Sequence, residues 1–233
     1  DETNIGSEGY EKAGTLRNEF VIAVRGIVQP REGAVNDNLS TGDIEIKVLD
    51  LRILSQALTP PFQIEENSQT KDELRLKYRY LDLRNPDVKS RIVLRSQIVS
   101  ELRQAMTAHD FIEITTPILT CSSPEGARDY LVPSRLHEGK FYALPQAPQQ
   151  FKQILMASGF DRYFQIAPCF RDEDARGDRC PGEFYQLDME MAFATQEDVF
   201  AVIEDVLPPI FAKYGTYDIA SEAPFHRISF NDS

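Results

Sequence analysis

The sequence predicts a mixed α+β fold, in which an antiparallel sheet flanked by helices follows the last strands of a small β-barrel. Three observations carry this expectation. Residues 20–28 and 44–48 are rich in β-formers, the second run alternating strictly, and a long polar loop with Pro30, Gly33, Asn36 and Gly42 separates them. Residues 86–106 hold an apolar stripe at helical spacing, followed at once by the strand-like Phe111-Ile112-Glu113-Ile114-Thr115. The later strand-like runs do not alternate regularly with helices, which excludes a repeating βαβ pattern.

Taken in order, residues 1–17 are polar and show no clear period. Strands are expected over 19–28 and 44–54. Two strands cannot bury a core alone, so they read as the end of a barrel whose earlier strands are missing. A linker begins at Pro60-Pro61 and runs to about Lys71. In the segment 74–84, Arg75, Lys77, Arg79 and Arg84 interleave with Tyr78 and Tyr80. Such a segment either touches a nucleic-acid backbone or packs as a connector whose basic stems cover apolar surface. Asn85-Pro86 starts a helix, with Asn as N-cap and Pro in the first turn. Leu94, Ile98, Leu102 and Ala105 form its apolar face, and Asp110 takes a left-handed position after its end. Strands follow at 142–144, 163–170 and 184–193, and helices at 149–158 and 196–213, the latter interrupted at Pro208-Pro209.

Composition narrows the function classes. The chain has 233 residues, 42% of them apolar, enough for one good core and a smaller second domain. No apolar run has the length of a membrane span and the N-terminus has no signal-peptide character, so a soluble, cytoplasmic protein without membrane partners is expected. The three cysteines, Cys121, Cys169 and Cys180, lack metal-site spacing and do not form a disulfide framework. The three histidines are scattered, and no metal site is expected within the chain. A net charge of −12 argues against nucleic acid for the chain taken whole. The basic residues nevertheless concentrate in 71–103 and the acidic ones in 172–205, so a polyanion can still approach the first region.

Gly-rich phosphate loops and nucleophile elbows are absent, so a nucleotide site must rest on side chains. Arg171 closes the apolar strand 163–170, and a guanidinium so placed grips two phosphate oxygens and stabilises charge in a transition state. Asp172, Glu173 and Asp174 follow directly, and the ordinary alternative is a solvated salt-bridge cluster. Phe184 either stacks on a base or is a core aromatic. Gln149 and Lys152, three apart on one helical face, suit a small ligand with a carboxylate, or are simply surface residues.

The order of these segments resembles the class II aminoacyl-tRNA synthetases, within them the aspartate-specific branch of bacterial type. Residues 75–84 (RLKYRYLDLR) look like the linker entering that family's catalytic domain. The helix at 86–109 with 111–117 looks like motif 1, which implies a homodimer through 86–117. Residues 125–130 (EGARDY) resemble the flexible loop over the amino acid, 142–149 (YALPQAPQ) with Lys152 the aspartate-binding segment, and 170–173 through 188 motif 2. The resemblance implies an OB-type, anticodon-binding barrel remnant over 1–58, a hinge over 59–84, and a partial catalytic domain over 85–233. It implies ATP as substrate, with Mg2+ ligands mostly outside this chain, and L-aspartate and tRNA as partners. By the same resemblance Lys152 pairs with the substrate side-chain carboxylate, Gln149 and Asp188 bind the α-amino end, and Glu125 comes down with its loop. Arg171 is the catalytic residue on the α-phosphate and also touches the substrate carboxylate. Asp172, Glu173 and Phe184 complete the ATP site.

The sequence departs from the family at three places. Cys180 stands where one family form has Gln and Gly182 follows Pro181 where that form has no glycine, Asp110 replaces a common glycine, and nothing after residues 228–230 resembles motif 3. A fragment lacking both ends is therefore expected, with little ATP–pyrophosphate exchange of its own. Asparaginyl and lysyl relatives fit less well, because Lys152 suits an anionic substrate side chain. An enzyme amidating free aspartate is disfavoured by the barrel remnant. The alternative from another class is a catalytically silent dimerisation or tRNA-binding module.

Overall fold

Both N-terminal strands form where the alternation places them. In the computed structural model, which describes residues 2–123, 126–173, 182–216 and 222–232, β1 (Val21–Pro30) pairs antiparallel with β2 (Ile44–Ser55). Their register slips between Arg25 and Gly26. A Cβ at Gly26 would lie 2.4 Å from the Lys47 carbonyl oxygen, so only glycine allows the strands to approach there. Residues 1–17 carry no clear period, yet Glu2–Gly14 forms a helix, α1, broken at Gly6 and packed on β2. Its apolar side is limited to Ile5, Tyr10 and Ala13, which share a hollow with Ile22, Val24 and Val48. Contact with the sheet therefore stabilises what a weak stripe cannot. Among the described residues this part is a two-stranded sheet and not a closed barrel.

The chain divides into two units, Asp1–Ser90 and Arg91–Ser233. At the end of the first lie α2 (Asp72–Lys77) and α3 (Arg79–Asp82). Asp82 is buried and takes Arg75 Nε at 2.7 Å on one oxygen and Arg79 Nη1 at 2.5 Å on the other. Arg84 donates to Glu19 at 2.6 Å. Three of the interleaved arginines are thus paired with carboxylates of this chain, Arg79 and Arg84 while remaining about half exposed. The cap of α4 (Pro86–Ala108) is the one expected from Asn85-Pro86. Asn85 Oδ1 accepts from the Asp87 amide at 2.9 Å, and Asn85 Nδ2 donates to the Glu65 carbonyl at 2.7 Å.

Helix α4 ends in a Schellman arrangement. The Asp110 amide donates to Thr107 O and the Phe111 amide to Met106 O, both at 3.1 Å, while Asp110 has φ 63°. The turn delivers Phe111 and Met106 into the core together. Beyond it come β3 (Ile112–Glu113), β4 (Leu131–Pro133), β5 (Phe141–Ala143), α5 (Gln149–Ala157), β6 (Arg162–Phe170), β7 (Glu183–Met191) and α6 (Gln196–Tyr214), with a 3-10 turn at Phe230–Asp232. The main sheet has the order β3-β6-β7. β6 and β7 are antiparallel as expected, but the short β3 joins parallel to β6. Strands β4 and β5 form a separate antiparallel pair.

One face of the sheet is the hydrophobic core. Phe164 packs with Met106, Phe111, Val202 and Val206, and Leu187, Met189 and Met191 close around them. Burying a side chain such as Phe164 stabilises by roughly 1.5–3 kcal/mol. This stripe also explains why α6 does not stop at Pro208-Pro209, as its sequence suggests. The helix runs through both prolines, because Val206 before them and Leu207 and Ile210 around them are anchored in the same core.

Candidate active site

The opposite face of β6 and β7 is polar. The register sets Tyr163 against Glu190, Gln165 against Asp188, Ala167 against Gln186 and Cys169 against Phe184. Side chains alternate along a strand, so these eight share one face and Phe164, Leu187 and Met189 take the other. Arg171, one residue past the end of β6, continues the polar series. Helix α5 packs over this face and brings Lys152 to it.

Lys152 Nζ lies 3.0 Å from Asp188 Oδ1 and 3.1 Å from Glu190 Oε2. Its side chain is only 14% exposed. Burial opposes its charge, but the two carboxylates outweigh that and hold its pKa above the ordinary lysine value. Asp188 Oδ2 is buried without a partner, and so is the Tyr163 hydroxyl beside it in the register. Gln165 is tied down, its oxygen accepting from the Thr116 amide and its nitrogen donating to Thr116 Oγ1, both at 3.0 Å. The Cys169 thiol donates to Gln186 Oε1 at 3.2 Å.

At the other end of the face, the Arg171 guanidinium stands 5.0 Å from the centre of the Phe184 ring, and its Nε is buried without a partner. Four residues of strand separate Phe184 from Asp188, about 13 Å at strand rise. The backbone beneath Arg171 is pinned on both sides. The Phe170 amide donates to Pro145 O at 2.9 Å, the Arg171 amide to Gly182 O at 2.8 Å and the Asp172 amide to Arg128 O at 2.9 Å. Arg128 Nε returns a bond of 2.9 Å to Asp172 O.

Residues 126–129 are held by Gln146, which is 2% exposed. Its oxygen accepts from the Ala127 amide at 3.2 Å, and its nitrogen donates to Ala127 O at 2.9 Å and Asp129 Oδ1 at 2.5 Å. Ser122 Oγ donates to the other oxygen of Asp129. Ser122 first and Gln146 second keep the Asp129 carboxyl below its ordinary pKa, against the effect of burial.

The structure therefore brings Lys152, Asp188, Arg171 and Phe184 onto one face. Gln149 opens α5, half-buried, three residues before Lys152. Asp172 and Glu173 are exposed just past Arg171. Glu125, Asp174 and Cys180 lie outside the described residues. Sequence reasoning missed Glu190, Tyr163, Gln186 and Gln146. The first three were detectable from the period of two, since each stands an even number of residues from Asp188 or directly across from its neighbours. Gln146 carries no such signal, because its role comes from contacts with a loop 17–23 residues earlier in sequence.

Known proteins resemble this chain along most of its length. The family described as tRNA synthetases class II (D, K and N) matches residues 71–233. The aspartate–tRNA ligase of Agathobacter rectalis is 58% identical over 232 residues, covering 100% of this chain and 38% of the relative. The aspartate–tRNA(Asp/Asn) ligase of Rickettsia canadensis is 61% identical over 224 residues, covering 96% of this chain and 37% of its own. This chain thus spans well under half the length of these curated relatives. Among solved structures, asparaginyl-tRNA synthetase from Pyrococcus horikoshii, complexed with asparaginyl-adenylate, superposes with a TM-score of 0.79 at 26% identity, over 99% of this chain and 54% of that one.

Proposed function

Because the chain belongs to the class II tRNA synthetases of the D, K and N group, we propose that its parent protein ligates aspartate to tRNA through an aspartyl-adenylate made from ATP. The observation that carries this reading is Lys152, a nearly buried ammonium at one end of a polar sheet face whose other end holds Arg171 over Phe184. An ammonium receives the side-chain carboxylate of aspartate. It gives no such welcome to the amide of asparagine or the ammonium of lysine. Gln149 and Asp188 take the α-amino end, with Glu125 contributing from its loop. Arg171 lies between the substrate carboxylate and the α-phosphate of ATP, and adenine stacks on Phe184 with Asp172 and Glu173 at its edge.

The substrate's α-carboxylate oxygen attacks the α-phosphorus and pyrophosphate leaves. The terminal hydroxyl of tRNA then displaces AMP from the mixed anhydride. The side chains supply alignment along the face and positive charge where the α-phosphoryl oxygens gain negative charge. Mg2+ is a family expectation. Among the described residues no group of three or more His, Cys, Asp or Glu side chains converges to hold a metal, and the ligands for Mg2+ are expected mostly outside this chain. The cytoplasmic location is a family expectation; no helix among the described residues is long and apolar enough to cross a membrane. Within the 86–117 segment, Ile92, Val93, Leu94 and Ile112 are exposed and fit a homodimer through it.

Substituting Lys152→Ala in the full-length protein tests the pocket. Removing a charged hydrogen-bond partner is worth roughly 1.5–3 kcal/mol, so aspartate affinity falls by about 10- to 150-fold. ATP affinity, titrated separately, stays within about threefold of wild type, since Lys152 is about four strand residues from the nucleotide end. Equal losses for both ligands would remove Lys152 from the amino-acid pocket.

A further inference from the structure

Tyr163 is the largest fully buried side chain in the molecule's described residues, and its hydroxyl has no hydrogen-bond partner there. Phenylalanine would pack equally well, as Phe164 does on the opposite face, so the hydroxyl needs another explanation. An unsatisfied buried polar group costs about 1–3 kcal/mol. The acceptor that would satisfy it is at hand. Tyr163 pairs with Glu190 across the strands, and Asp188 stands two residues before Glu190 on the same face. The Oδ2 of Asp188 is itself buried and unpartnered, while Oδ1 is engaged by Lys152 at 3.0 Å. A buried donor and a buried acceptor thus face the same small space without a hydrogen bond of good geometry. They are nevertheless close enough that burial, the Asp188 charge and hydrogen bonding to Asp188 together raise the tyrosine's pKa.

We infer that Tyr163 is a positioning residue of the amino-acid pocket, acting through Asp188 when substrate exchanges the partners of Lys152. The inference rests on the aspartate reading above. In the ligand-free arrangement Lys152 neutralises Asp188 and Glu190 together. An incoming side-chain carboxylate draws the ammonium off Asp188, while Glu190, at 3.1 Å, keeps it tethered. Asp188 is then a buried carboxylate without its cation. The substrate ammonium takes one of its oxygens and the Tyr163 hydroxyl donates to the other, fixing the carboxylate's orientation. No proton changes owner. The phenol is suited to this, because burial first and the Asp188 charge second push its pKa well above the ordinary tyrosine value, so it remains a donor at every working pH.

The test uses the full-length protein, titrated at equilibrium with L-aspartate and separately with ATP. Tyr163→Phe keeps the ring and is expected to leave thermal stability near wild type while weakening aspartate binding by about 5- to 20-fold. ATP affinity stays within twofold. In a double-mutant cycle with Asp188→Asn, the tyrosine change adds less than twofold to the loss from Asp188→Asn alone, because the hydroxyl acts only through that carboxylate. Wild-type aspartate affinity in Tyr163→Phe, an equal loss for ATP, or full additivity in the cycle would each overturn the inference. A wild-type protein that binds ATP but no aspartate would overturn the reading beneath it, and the two failures are told apart by that first titration.

Discussion

Asp110 holds a backbone conformation, φ 63°, that most side chains resist. It is tolerated because aspartate is among the few residues that visit the left-handed region, and the Schellman bonds at the end of α4 require it. Replacement by glycine removes the strain but adds freedom to the unfolded chain, so Asp110→Gly is expected within about 1 kcal/mol of wild type. Asp110→Val places a β-branched residue at positive φ and lowers stability by about 1–3 kcal/mol. Thermal unfolding of the two variants separates these outcomes, and a valine variant as stable as the glycine one would refute the strain argument. At the other end of α4, Asn85 is both cap and anchor. Asn85→Ala is expected to cost about 1–2 kcal/mol. Asn85→Asp keeps the acceptor for the Asp87 amide but sets a buried carboxylate oxygen against Glu65 O, so its melting point falls no higher than that of Asn85→Ala. Both ends of this helix were legible in the sequence, because a cap and a left-handed stop depend on residues adjacent in the chain.

Elements whose geometry depends on distant partners were less legible. The alternation of 163–170 and 184–193 is enough to place β6 and β7 and to aim Arg171 from a strand end. It does not say which face of the hairpin meets a helix, so the pairing of Lys152 with Glu190, 38 positions later, stayed hidden. The parallel joining of β3 was hidden as well, since two residues of strand carry no sign of direction. In α1 and at Pro208-Pro209, local propensity pointed away from helix and tertiary packing overrode it. The clasp of Gln146 on residues 127–129 belongs to the same class and yields a pH prediction. The folded-state pKa of Asp129 is depressed, so its contribution is fully present above the ordinary aspartate value and is lost as pH falls through the lowered one, below roughly pH 4. No change is expected between pH 6 and 8. Asp129→Asn reproduces the acid state at neutral pH. The Ala127 amide, now bound to Gln146 Oε1 at 3.2 Å, then exchanges its hydrogen faster, by about tenfold for a clasp weakened by ~1.4 kcal/mol. Unchanged exchange at Ala127 in that variant would mean that Gln146 holds the loop without Asp129.

For the whole molecule, charge and apolar surface pull in opposite directions. The chain carries a net charge of −12, so two copies repel at long range. Between residues 92 and 119, however, Ile92, Val93, Leu94, Ile112, Ile118 and Leu119 are all exposed, Ile92 by 53% and Leu119 by 54%. Contiguous exposed apolar patches mark association surfaces, and this stretch of chain supplies exposed apolar residues for one. If that surface joins two copies, the attraction is apolar and the opposition electrostatic. Salt then has a definite sign. Raising NaCl from 50 to 500 mM shortens the Debye length from roughly 14 Å to about 4 Å, screens the repulsion and tightens the dimer. An interface held by ion pairs loosens over the same range. Sedimentation velocity on this chain at several concentrations reads the dissociation constant at each salt. Ile118→Glu sets a charge in the apolar stretch and is expected to raise that constant at least about tenfold, the cost of burying an unpaired carboxylate. Circular dichroism stays unchanged, because Ile118 lies outside the core that holds β6 and β7. A dimer that weakens with salt and ignores Ile118→Glu would place self-association on a surface that leaves Ile118 out.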